Sequence, residues 1–276
     1  IIGGLPRSGK TILSGVLGSH GQIAVPQSAL NFFHYFGDED YRSRGGFEEN
    51  LEFFFKSCRK SKSWGITRDM VPQSGSDQRD LYLILLETFR RSHSPQKRYV
   101  GEYTHMSEEN FDRFIAWFGL EKLRFLQIIR DPYDNYASWV AARRISPSER
   151  ESRSYDSPVH KFCNSWAQSA AMGMARTIRY PGSYRTLFFD QIKENPVGFV
   201  ESLCEWIGVP AEVESMLKTQ KSFVHSYRYR GAVEDSDLVR GRTATAMMYN
   251  GDALLLPARC PDLTLAHPEE GTRLRC

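Results

Sequence analysis

Cysteine is sparse in this chain: five in 276 residues, Cys58, Cys163, Cys204, Cys260 and Cys276, with no CxxC pair among them. An odd number at such spacings excludes a zinc ribbon and a dense disulfide framework. It fits a reducing compartment, so a cytoplasmic location is expected. Long hydrophobic runs are missing as well, and nothing approaches the roughly 18 apolar residues of a membrane span. Charge of one sign is not in excess either. A net charge of +3 and a pI near 8.5 fall short of a dedicated nucleic-acid binder, while leaving room for a local basic pocket, so the expected partner is a small anion. No internal repeat is visible, which excludes solenoid and propeller architectures. The chain begins with Ile rather than Met, inside a strand-like run. That leaves upstream residues, and a removed signal or anchor, open.

What is present is enough apolar sequence for one large core, or one core with a small helical annex: 41% hydrophobic against 25% charged. Residues 1–4 read as a short buried strand, and Ile12, Leu13, Val16 and Leu17 recur at helical spacing just after it. Helices are expected at 48–60, 80–91, 108–118, 160–180 and 195–207, the last ended by Gly208 and Pro210. Strands are expected at 98–103, 123–129 and 184–189. This alternation predicts an α/β fold with a parallel central sheet flanked by helices. A single domain is expected over 1–249, with 27–65 as a lid or acceptor-binding insertion and 250–276 as an irregular, Pro-rich tail.

Strand, Gly-rich turn and helix meet in Gly4-Leu5-Pro6-Arg7-Ser8-Gly9-Lys10-Thr11. This satisfies GxxxxGK[ST], in which backbone N–H groups cradle phosphates at a helix N-terminus. Taken alone it suits a kinase or an ATPase, with Asp131 or Asp190 at a strand end available for magnesium. A second stretch, Leu126-Gln-Ile-Ile-Arg-Asp-Pro-Tyr-Asp-Asn-Tyr-Ala-Ser138, places an Arg at the carboxyl end of a strand and a Ser eight residues later on the following helix. A guanidinium fork and a hydroxyl so placed would clamp one phosphate monoester in the crevice of an open α/β sheet.

On these two motifs the chain resembles the sulfotransferases that use 3′-phosphoadenosine 5′-phosphosulfate (PAPS). Pro6, Arg7, Gly9 and Thr11 match the family's P-[KR]-x-G-T-[TS] loop, and Arg130, Asp131, Pro132 and Ser138 match its R-D-P…S segment. Tyr184-Arg-Thr-Leu-Phe-Phe-Asp190, Pro196 and 199–209 are similar to a third, structural segment. The resemblance implies a P-loop-like nucleotide-binding fold and sulfuryl transfer from PAPS, with PAP as product, to a hydroxyl or amine of a small molecule, carbohydrate or peptide. It implies Arg7 on the 5′-phosphosulfate, loop amides from Gly9, Lys10 and Thr11 with the Thr11 hydroxyl, and Pro6, Ser8 and Ile12 as further residues of the binding loop. Arg130 and Ser138 would take the 3′-phosphate, with Arg230 from a late basic cluster as a further ligand.

Two departures matter. Lys10 stands where the family has Thr or Ser; its ammonium would either stabilise charge at the bridging oxygen or point to solvent. A Glu near an x-F-F segment, the base in many members, is missing from Ser28-Ala-Leu-Asn-Phe-Phe33. The other family pattern, K-T-H, reads Tyr103-Thr104-His105 here, which leaves His105 as the candidate base beside a replaced Lys, with Glu102 and His34 as fallbacks. Trp64 and Phe33 are either core aromatics or platforms for adenine. A P-loop kinase or ATPase, and a nucleotide-binding homologue without turnover, remain alternatives.

Overall fold

The computed structural model describes residues 1–30, 32–36, 46–57, 60–71, 75–105, 107–143 and 157–221. Five parallel strands organise it: β1 (Ile2–Gly3), β2 (Ile23–Ala24), β3 (Tyr99–Val100), β4 (Phe125–Ile129) and β5 (Tyr184–Phe188). β1 pairs with β4 in the register Ile2 to Leu126, β4 with β5 from Phe125–Tyr184 to Ile129–Phe188, and β2 with β3. A parallel bridge between Ile2 and Tyr103 joins the two sets. It is made by Ile2 N–H donating to the Glu102 carbonyl at 2.8 Å and Thr104 N–H to the Ile2 carbonyl at 3.0 Å. The array therefore runs β2-β3-β1-β4-β5. From β1 the chain first works to one side and then returns to the other, so the order reverses between β1 and β4. In open parallel sheets the crevice at the carboxyl edge of that reversal is where ligands bind.

Eleven helices flank the sheet among the described residues: α1 (Lys10–Gly18), α2 (Phe32–Phe36), α3 (Phe47–Ser57), α4 (Lys60–Trp64), α5 (Gln78–His93), α6 (Phe111–Phe118), α7 (Pro132–Arg143), α8 (Pro158–Arg179), α9 (Phe189–Glu194), α10 (Pro196–Ile207) and α11 (Val213–Lys221). Local chemistry sets their ends. The Asp77 carboxylate caps α5 by accepting from Asp80 N–H at 2.8 Å, and Arg90, Arg91 and His93 in its last turn complement the dipole. Ser157 before Pro158, and Asn195 before Pro196, start α8 and α10 with a capping side chain and a Pro where no N–H is needed. Gly208, at φ 86°, closes α10.

β4 is buried along its whole length, as a central parallel strand must be. Its alternating side chains divide the core. Leu126 and Ile128 face α1 and α10 through Leu13, Val16, Val200 and Leu203. Phe125 faces an aromatic cluster with Tyr82, Phe111, Phe114 and Tyr184, and Ile129 meets Tyr136, Phe162 and Trp166 from α7 and α8.

The long expected elements are present, with three differences. The helix expected over 48–60 is α3 as far as Ser57, with 58–59 outside the described residues and α4 starting at Lys60. The strand expected over 98–103 pairs with β2 only at Tyr99–Val100, then turns its pairing to β1. The short β2, α2, α9 and α11 carried no periodicity long enough to read. Within 27–65, the described residues Phe32, Phe36, Phe47, Leu51, Phe54 and Trp64 are buried in the aromatic cluster.

Candidate active site

β1 leads directly into the phosphate-loop sequence, and the loop's backbone shows why its residues are these. Gly4 and Gly9 have φ of 122° and 114°, values that side chains rarely tolerate. A Cβ on Gly4 would sit 2.4 Å from the Ile128 carbonyl oxygen, and one on Gly9 2.4 Å from the Phe189 ring. Arg7 also has positive φ, 69°, and is the only non-glycine residue with positive φ among those described. Left-handed backbone at an Arg costs about 1 kcal/mol, and such strain persists where the surroundings impose it, commonly at ligand sites. Gly9 caps α1 with no side-chain acceptor, so the helix start turns bare N–H groups outward.

Arg130 directly follows β4 on the same edge. The Asp131 carboxylate accepts from Tyr133 and Asp134 N–H at 3.0 Å each, capping α7. That cap sets the helix so that Ser138, two turns on and 3% exposed, meets the loop. Arg7 Nε donates to Ser138 Oγ at 3.1 Å across 131 residues of sequence. Arg130 Nη1 donates to the Arg7 carbonyl at 3.4 Å, and its guanidinium lies over the Phe189 ring at 5.0 Å. Asn135 Nδ2 donates to the Pro6 carbonyl at 2.9 Å, and Trp166 Nε1 to the Arg130 carbonyl at 2.9 Å. Burial pushes the Arg130 pKa down, opposed by Asp134 and Asp190. Three buried polar atoms around this crevice have no partner in the protein: Ser8 Oγ, Arg130 Nε and Asn135 Oδ1. Two of these can donate to an anion.

A family model described as "Sulfotransferase family" matches residues 1–213. The chain belongs to the sulfotransferase family. Solved structures similar to it include the sulfotransferase domain of the olefin synthase of Synechococcus PCC 7002, at 15% identity and TM-score 0.55, covering 92% of this chain and 94% of that one. The sulfotransferase domain from the curacin biosynthetic pathway is 19% identical with TM-score 0.53, over 79% and 77% of the two chains. Sulfotransferase STF9 from Mycobacterium avium is 11% identical with TM-score 0.51, over 92% and 76%. At such identities the likeness is one of fold. No curated protein sequence matches the chain.

In this sulfotransferase the residues singled out from sequence fall into three groups. Pro6, Arg7, Ser8, Gly9, Thr11, Ile12, Arg130 and Ser138 gather at the reversal between β1 and β4, with Arg7 and Thr11 exposed and Ser8, Arg130 and Ser138 buried. Lys10 takes neither of its two expected places. It is 3% exposed and turns beneath the loop, donating to the carbonyls of Gly4 and Leu5. Arg230 lies outside the described residues, as does the side chain of His34.

His105 is exposed, at the turn directly after the strand segment that pairs with β1, and so on the edge that carries the loop. Tyr103, in the place of the family Lys, is buried and donates from its hydroxyl to the Gln27 carbonyl at 2.8 Å. Glu102 points to the opposite face of the sheet, fully buried, and accepts from the Tyr82 hydroxyl at 2.9 Å. Burial pushes its carboxyl up to about 7. Trp64 is core, 1% exposed, with its indole N–H donated to the Ser28 carbonyl. Phe33 stacks on Trp117 at 5.5 Å and lies under Arg113 at 5.0 Å. Asp131 is spent on the α7 cap, and Asp190 pairs with Lys193.

Sequence reasoning passed over Asn135, Trp166 and Glu108. Asn135 carried a signal: it is a polar residue on the inward, apolar face of α7, between Pro132 and Ser138. Trp166 donates to the Arg130 carbonyl and Glu108 accepts from Gly4 N–H, partners distant in sequence, for which no local pattern exists.

Among the described residues no helix is long and apolar enough to cross a membrane.

Proposed function

We propose that this sulfotransferase moves a sulfuryl group from PAPS to a hydroxyl or amine of a small-molecule, carbohydrate or peptide acceptor. The observation that carries the reading is the meeting of Arg7, Arg130 and Ser138, from two sequence motifs, at one point of the sheet edge. The donor set fits a nucleotide bearing both a 5′ and a 3′ phosphate group. A glycine-shaped loop with outward N–H groups suits one, and a buried Arg with an unpartnered Nε, linked through Arg7 to a Ser hydroxyl, suits the other. Ser138 accepts from Arg7 and retains its own proton for an anion.

When bound, PAPS supplies the sulfuryl group on a phosphate leaving group. Arg7, at the exposed crest of the loop, holds positive charge where the leaving oxygens gather negative charge, and the N–H groups of Gly9, Lys10 and Thr11 add dipoles already fixed in place. Arg130 orients the nucleotide from below. His105, exposed at the same edge, takes the proton of the acceptor. The segment 27–65 contributes to the acceptor pocket.

Calorimetric titration with PAP and with ATP-magnesium tests the reading. PAP is expected to bind more tightly, with Arg130→Ala weakening it about 10–100-fold, the cost of losing a charged hydrogen-bonding partner. Tighter ATP binding, indifferent to Arg130→Ala, would sink it. Retained PAP binding with no radiolabelled sulfate transferred to a broad acceptor panel would instead mark a binding protein without turnover.

A further inference from the structure

Lys10 is the first residue of α1, where the helix dipole and unpaired N–H groups favour an anion and disfavour a cation. Its ammonium nonetheless stays at this helix start, folded under the loop onto the Gly4 and Leu5 carbonyls. The other side of Gly4 is held by an acid. Gly4 N–H donates to Glu108 Oε2 at 2.9 Å. Glu108 is fully buried, and each of its acceptors is engaged: Oε1 receives the Ser169 hydroxyl at 2.5 Å, and its backbone carbonyl receives Arg176. Burial lowers the Lys10 pKa to about 7, and the attraction of Glu108 opposes that fall.

Gly4 is thus gripped at its N–H by an anion and at its carbonyl by a cation. In a trans peptide each carbonyl opposes the next residue's N–H, so the inward Gly4 carbonyl turns Leu5 N–H outward, the polarity an anion cradle requires; the Leu5 carbonyl precedes Pro6, which has no N–H, and so serves as a second anchor for the turn. We propose that Lys10 and Glu108 form a buried clamp that presets the loop for the donor's 5′-phosphate. Lys10 is then a positioning residue acting on loop carbonyls, not a contact of the transferring group, and this is what Lys does where the family resemblance expects Thr or Ser. The inference rests on the donor reading above and deepens it.

Removing Glu108 separates the two roles of Lys10 by sign. If Lys10 faced the phosphate, a nearby carboxylate would only repel the anion, and Glu108→Met would tighten binding. As a clamp, the same change loosens the loop and weakens binding. The measurement is the ratio of dissociation constants for adenosine 3′-monophosphate and PAP, which isolates the 5′-phosphate. In Glu108→Met and in Lys10→Met the ratio is expected to shrink about tenfold. In the double variant it is expected to shrink by no more than about twofold beyond either single one, since both act on one peptide group. Glu108→Gln, which retains an acceptor for Gly4 N–H, is the variant to read if Glu108→Met does not fold, with a shrinkage of about threefold expected. An unchanged or larger ratio in the Glu108 variants overturns the clamp. Wild-type protein that binds PAP no better than adenosine 3′-monophosphate would sink the donor reading instead. The clamp is then judged by hydrogen exchange in ligand-free protein. Gly4 N–H should be protected, and should exchange at least about tenfold faster in the Glu108 variants while the β4 amides keep their rates; no acceleration overturns it.

Discussion

Replacing Glu102 with Gln should remove a pH dependence of stability that the fold builds in. The carboxyl is fully buried on the aromatic side of the sheet, with one oxygen receiving the Tyr82 hydroxyl. Burial raises its pKa from 4.5 to about 7, while the Tyr82 hydrogen bond, the Ile1 amino group and Leu30 pull less strongly the other way. The native state therefore binds more protons than the unfolded state between those values. A group raised in this way contributes stability that is full below pH 4.5 and is lost as pH climbs to about 7. At 1.36 kcal/mol per unit the loss is roughly 3 kcal/mol. Gln is neutral throughout and keeps an acceptor for Tyr82, so the variant should match wild type within about 1 kcal/mol near pH 5 and exceed it by roughly 2 kcal/mol at pH 8. Urea unfolding at the two pH values, at constant ionic strength, reads the difference. Lys10 titrates in the opposite sense, its lowered pKa making stability rise above about 7, but that contribution is common to both proteins and cancels. Parallel stability curves for wild type and Glu102→Gln would refute the reasoning. Sulfate transfer close to wild type in the same variant would leave the base to His105.

Gly9→Ala places a Cβ against the Phe189 ring at a positive φ, and should cost about 1–3 kcal/mol in urea unfolding and abolish measurable PAP binding; wild-type affinity would show that the loop is not the anion site. Tyr184→Phe strips the hydroxyl that the buried Gln127 Oε1 accepts and should destabilise by about 1–3 kcal/mol; an unchanged midpoint would show that another donor reaches Gln127. His105→Ala should lower kcat by about 100-fold or more, within the range of general-base catalysis, with PAP affinity within about twofold; a full kcat would remove His105 from the proton transfer.

How much of this was legible beforehand depended on whether a signal is local. The run 123–129 and the pattern at 160–180 are long and periodic, and β4 and α8 lie where they point. The loop and Arg130-Asp-Pro…Ser138 were legible because each is a strand-to-helix turn whose chemistry sits in consecutive residues. β2, two residues long, is a strand only because Tyr99 and Val100 lie beside it, and no sequence window contains that fact. Lys10 shows the limit more sharply. Its spacing is that of a triphosphatase Lys, yet its direction is decided by the inward carbonyls of Gly4 and Leu5 and by the charge of Glu108, on a segment a hundred residues downstream.

The register of β1 has a kinetic consequence. Two residues, Ile2 and Gly3, pair with Leu126 and Gln127, so the strand that launches the loop cannot be secured until partners more than a hundred residues away have been gathered. Closing so long a loop is entropically costly, and contacts of high sequence separation form slowly. β4 and β5, longer and closer in sequence, would assemble first, and the anion cradle would be completed near the end of folding. A ligand spanning Arg7 and Ser138 would then act as a late staple, slowing unfolding and proteolysis more than it hastens folding.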